Sequence, residues 1–122
     1  MARNNLEERL ITFAVDVLYV AETMIRSFAG NYYSEQITRS SASAALNYGE
    51  AESAESRKDF IHKMKVVLKE LRETHVNLKI IYRANLNPNQ EKVNNLIKEN
   101  NELISIFVKS VQTARNNLQS MK

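Results

Sequence analysis

Lys58, His62, Lys65, Lys69, Arg72, Lys79 and Arg83 recur at steps of three and four residues, with Val76 the one interruption. On an α-helix this spacing puts all seven on one face, along about 40 Å of helix. Such a line of cations can follow a phosphate backbone, where each Lys or Arg is rewarded by release of condensed counterions. Copies repeated around a ring would add weak single contacts by multivalency. Between Arg57 and Arg83 stand eight basic and three acidic residues, net +5; the whole chain is +3, so the remainder is −2. The same pattern also describes a solvated face of an ordinary bundle helix. No aromatic-rich strand motif, helix-turn-helix signature or zinc spacing would read bases, so binding to RNA or DNA is expected to be non-specific and salt-sensitive.

A second polar set, Arg39, Ser43, Asn47 and Glu50, follows steps of four, four and three. It reads either as a solvated stripe or as part of a hydrogen-bonded network in which Arg39, Asn47 and Glu50 join Glu73. Burying such groups is costly unless each is paired, so a network would set register more than add stability. Di-metal bundles use Glu-x-x-His on facing helices, and no Glu here has a His three residues later. Asp59-x-x-His62 reads as a helix cap beside an exposed His, and His75 as a structural residue near a buried face. Glu50, Glu70 and Glu73 could gather, but nothing supplies a nucleophile or a pocket. With no Gly-rich phosphate loop, no Ser-His-Asp set and no cysteine, the chain reads as a non-enzyme without metal or cofactor.

Long helices must position these residues. Asn5 and Glu8 form a capping box ahead of Leu6, Leu10, Phe13, Val17, Ala21, Met24 and Phe28 at helical spacing. Ile11, Ala14, Leu18 and Ile25 widen that stripe, and Gly30-Asn31 closes it as a left-handed cap. Ser56 with Asp59 opens a third helix whose buried face is Phe60, Met64, Val67, Leu71, Leu78 and Ile81. Asn87, Pro88 and Gln90 read as cap, first turn and box of a fourth, buried at Val93, Leu96, Ile97, Leu103, Ile104, Phe107 and Val111.

The predicted helices are 5–29, 33–54, 57–85 and 88–117 in one domain covering residues 1–122. Short connections between such rods predict an all-α fold, an antiparallel up-down-up-down four-helix bundle. In the second helix, Ser40, Ser41, Ala42, Ser43, Ala44 and Ala45 lack long side chains. They make either the thin side of the bundle, filled by large residues from helices one and four, or a flat oligomer contact.

Glu7 and Glu8 precede the first apolar run, Asp16 interrupts it and Glu22 follows it, which argues against a signal peptide. No segment reaches the roughly 20 apolar residues that span a bilayer. The chain reads as cytoplasmic, with no membrane contact.

The segments QITRSSASAALNYGEA (Gln36–Ala51), ESRKDFIHK (Glu55–Lys63) and VLKELRET (Val67–Thr74) carry a resemblance. Together they resemble the four-helix bundles of the S23 family, named for reading frames in intervening sequences of bacterial 23S rRNA genes. The family pattern runs Gln-Ile/Leu-x-Arg-Ser, small residues, Asn-x-x-Glu-Ala/Gly, then Ser-x-x-Asp/Glu-Phe and Ala-Leu-x-Glu-x-x-Glu-Thr. Asn47, Glu50, Asp59-Phe60, Glu70 and Glu73 match it in spacing, over about a third of the chain. Where many relatives have a Lys-Lys-Phe-Pro-type turn, this chain has Gly30-Asn31-Tyr32-Tyr33, which places it nearer a shorter branch. The resemblance implies no enzymatic activity and a ring-like homo-oligomer, with a homopentamer the expected form. It also implies kinship with the accessory proteins of diversity-generating retroelements, basic pentameric bundles that partner a reverse transcriptase and bind nucleic acid.

Overall fold

The computed structural model describes residues 2–120 as four helices: α1 (Ala2–Glu22), α2 (Phe28–Glu52), α3 (Arg57–Arg83) and α4 (Gln90–Ser120). Among the described residues there is no strand, and no helix is long and apolar enough to cross a membrane. α2 packs on α1 and α3, α4 packs on α3 and more sparingly on α1, and the backbones of the diagonal pairs stay apart among the described residues. Bonds between α2 and α3 descend in order: Ser40 to Thr74, Ser43 to Glu70, Glu50 to Lys63. Those between α1 and α4 do likewise, with Arg9 on Glu99 and Lys92 over the Tyr19 ring. This order is compatible with the up-down-up-down arrangement.

The expected boundary between the first two helices moves by about two turns. α1 begins before Asn5, so Asn5 and Glu8 are not its cap, and it ends at Glu22 rather than at residue 29. The Thr23 hydroxyl donates to the carbonyls of Tyr19 and Val20, and the Ile25 N–H leaves the helical path to donate to Leu86 O at 2.8 Å. Ser27, in extended backbone, then caps α2, its hydroxyl accepting from Gly30 N at 3.0 Å. Gly30 is therefore not a left-handed cap; no glycine has a positive φ. It is needed because a Cβ there would overlap the Ile25 carbonyl oxygen. Phe28, expected on the buried stripe, is 90% exposed, and Ile11, Leu18 and Ile25 also face outward. Ile11 and Leu18 thus form, with Val15 and Tyr19, an exposed apolar surface on α1, while Ala14 is half-buried and Ile25 lies beyond the helix.

Other boundaries need smaller changes. Ser56 caps α3 as expected, accepting from Asp59 N at 3.0 Å. α3 ends at Arg83, and Asn85 takes the left-handed turn at φ 59°, a conformation Asn tolerates better than most residues. α4 starts at Gln90 rather than Pro88, and its cap is Asn89, whose side chain accepts from Lys92 N at 3.1 Å. Asn87 is instead fully buried, donating to Val20 O at 2.8 Å and so tying the two turns together. Gln90 donates back to Tyr82 O rather than closing a capping box.

The core holds Leu10, Phe13, Val17, Ile37, Val67, Leu71, Leu78, Ile81, Val93, Leu103 and Phe107. Ser40, Ser41 and Ala44 are buried among them, so these three line the inside of the bundle, while Ser43 and Ala45 are half-buried and Ala42 is exposed. Bulk returns from the neighbours: Phe13 and Phe107 are almost wholly enclosed, and Tyr48 meets Phe107 edge-on at 5.6 Å.

The two glycines of α2 should respond in opposite directions. Gly30→Ala is expected to lower the urea unfolding free energy by about 2 kcal/mol or more, because the backbone at Ile25 must move. Gly49→Ala has open space, its Cβ approaching nothing nearer than Glu7 Oε2 at 4.0 Å. It should raise stability by roughly 0.5–1 kcal/mol by restricting the unfolded chain and favouring helix. Equal effects at both sites would contradict this packing.

Candidate nucleic-acid interface

α3 is amphipathic, and burying Ile61, Met64, Val67, Leu71, Leu78 and Ile81 leaves one orientation for its polar residues. Lys58, His62, Lys65, Lys69, Arg72 and Arg83 are exposed, and Lys79 is half-buried. All seven predicted residues thus lie along α3 with access to solvent. Lys69 makes a loose pair with Glu73 at 3.8 Å. The other cations of the stripe form no ion pair among the described residues, so their charge is not neutralised within the chain.

A groove of about 710 Å³ runs beside the centre of the stripe. Lys65, Lys69 and Arg72 border it, Leu68, Val76 and Val111 supply apolar lining, and Gln36 and Arg115 flank it from α2 and α4. Sequence periodicity could not have found Arg115 or Gln36, since only the packing of α2 and α4 on α3 brings them to this surface. No group of three or more metal-ligating side chains gathers among the described residues; His62 stands exposed beside the α3 cap.

The second polar set splits in two. Arg39 donates to Glu73 at 3.2 Å and lies 3.7 Å from Glu70. Ser43 donates to Glu70 at 2.9 Å, and Asn47 donates to the Ser43 carbonyl at 2.8 Å and its hydroxyl at 3.1 Å. Glu50 stands apart from this group and pairs with Lys63 at 2.6 Å, which raises the Lys63 pKa. Glu70, 8% exposed, is the centre of the network. Its spacing one turn before Glu73, opposite Ser43, is the signal that points to it. A buried carboxylate needs compensating donors: from α2, Ser43 donates to Glu70 Oε2, while the Arg39 guanidinium stands 3.7 Å from Oε1, which has no hydrogen-bond partner among the described residues. The network therefore braces α3 against α2 while the stripe faces away.

His75 lies half-buried on α3, and burial followed by the nearby positive charge of Lys79 lowers its pKa from the ordinary 6.5. Charging this imidazole is harder in the folded protein than in the unfolded chain, so the unfolded state binds the proton first. Stability is then full above pH 6.5 and declines as pH falls through the lowered folded value. His75→Gln should flatten that part of the stability–pH curve in urea titrations; an unchanged slope would remove His75 as its cause.

The sequence model of the family described as 23S rRNA-intervening sequence protein matches residues 5–109. Among solved structures, a protein of unknown function from the S23 ribosomal protein family of Bacteroides thetaiotaomicron is similar to this chain. It superposes with a TM-score of 0.82 and 28% sequence identity, covering 92% of this chain and 99% of its own. No curated protein matches.

Proposed function

Because this chain belongs to the 23S rRNA-intervening sequence protein family, we propose that it is a non-enzymatic, homo-oligomeric up-down-up-down bundle that binds RNA or DNA without sequence preference. Its role is that of an accessory or scaffold, with phosphate contact along Lys58, His62, Lys65, Lys69, Arg72, Lys79 and Arg83. The observation that carries this reading is the outward stripe on α3, whose cations are not locked to carboxylates of the same chain apart from the loose Lys69–Glu73 pair. Removing such charges from polyanion contact would forgo counterion release, the main term in non-specific binding. Arg115 extends the cationic surface onto α4.

Self-association is supported by the apolar outer surface of α1, where Ile11, Val15, Leu18 and Tyr19 are each 40–53% exposed. A contiguous run of exposed apolar side chains of this kind supports a protein contact. The same surface favours a second reading, an interaction scaffold that holds protein partners and no nucleic acid, with α3 merely solvated.

Nucleic-acid binding separates these readings, and the mass in solution tests self-association. Labelled mixed-sequence RNA or DNA should bind at low salt, with log K falling linearly against log salt. Reversing three charges (K65E, K69E and R72E together) should weaken binding at least tenfold and flatten the slope by about 0.7–0.9 for each phosphate that is no longer neutralised. No binding at low salt, or unchanged binding by that variant, leaves only the scaffold reading. Light scattering at micromolar concentration should return a multiple of the 14.0 kDa protomer, fivefold for a homopentamer, reduced by Ile11→Lys with Leu18→Lys. A single protomer mass would refute self-association.

A further inference from the structure

Phe28 is the most exposed large apolar residue of the described chain, 90% open to solvent in the first turn of α2. One turn on, Tyr32 is about half-exposed and meets Tyr33 edge-on at 5.0 Å. Tyr33 in turn packs against the core, so the Tyr32 ring is braced. One further turn brings Gln36, which shares the α3 groove with Val76 and Asn77. Phe28, Tyr32 and Gln36 follow one helical face. Since α2–α3 bonds descend in register, Tyr32 lies at the height of Ile80 to Arg83, and Phe28 beyond them. Two outward aromatic rings therefore stand on the neighbouring helix at the same end of the bundle as Lys79 and Arg83, the last cations of the stripe.

We propose that Phe28 and Tyr32 form a stacking shelf for the bases of a single-stranded nucleic acid whose phosphates run along α3. This rests on the phosphate-contact reading above and names its substrate class. Single-strand binders combine a cationic track with aromatic faces on which bases stack, without regard to sequence because every base has a π-face. In a duplex those faces are covered by neighbouring pairs, so cations alone would bind single and double strands and the shelf selects the former. The floor of the groove beside Arg72, built from Leu68 and Val76, has no aromatic ring, which confines stacking to this end.

The test compares labelled oligo-dT with a duplex of equal length. Phe28→Ala with Tyr32→Ala should weaken oligo-dT binding by about tenfold or more while leaving duplex binding and helical circular dichroism unchanged. The chain lacks tryptophan, so Phe28→Trp provides a lone reporter whose emission should be quenched by oligo-dT and not by duplex. Oligo-dT binding that survives the double substitution, together with unquenched tryptophan, overturns the shelf even if the triple charge reversal still abolishes binding. Loss of duplex and single-strand binding alike in the aromatic variant also overturns it. Wild-type protein that binds neither form removes the phosphate reading and the shelf together.

Discussion

Close approach of α2 to α3 is the constraint on which the rest of the molecule depends. It is possible because α2 turns Ser40, Ser41 and Ala44 inward, so no long side chain holds the two backbones apart. The approach is then pinned by polar contacts that tolerate little rotation. Ser40 and Thr74 share a 2.6 Å hydrogen bond, and Thr74 also donates to Glu70 O. Ser43 and Arg39 meet the Glu70 carboxylate from the same side. Buried polar groups are costly unless partnered, so each of these pairs penalises a slipped register. With α3 held by one side and its Leu and Ile face in the core, its lysines and arginines have nowhere to point but outward.

The seam between α1 and α4 is built differently. It is the sparser of the packed pairs and relies on tethers near its ends. Arg9 forms a fork with Glu99, at 2.8 and 3.1 Å, and reaches Glu102 at 3.0 Å. These partners raise the Arg9 pKa, with the Glu99 hydrogen bond first among the causes. At the opposite end Asn87 and the Ile25–Leu86 bond join the two interhelical turns. Directly after Glu99, Asn100 is fully buried, with neither amide atom hydrogen-bonded among the described residues. The firm α2–α3 half thus carries the cationic surface, and the looser half carries the exposed apolar face of α1.

On the proposed reading, that division would give the two surfaces separate roles. A polyanion can be held on α3 without disturbing the outer side of α1, because these two helices sit across the diagonal of the bundle with their backbones apart. Self-association through α1 would leave the stripe accessible on each copy and multiply its weak contacts.

Much of this was legible from residue order alone. Helical periodicity identified the buried faces of α3 and α4, and Ser56 announced its cap, because these features depend on neighbours three and four residues apart. The basic stripe was equally local, since cations at that spacing share a face wherever the helix is placed. What the sequence could not determine came from contacts between distant segments. The end of α1 at Glu22 follows from Ile25 bonding to Leu86, and Asn87 became a buried tie rather than a cap because Val20 offers it an acceptor. Glu50 left the network for Lys63, while Arg39 reached Glu70 and Glu73. Local spacing decides which side chains share a helix face; only packing decides which face meets another helix, because that choice depends on groups far apart along the chain.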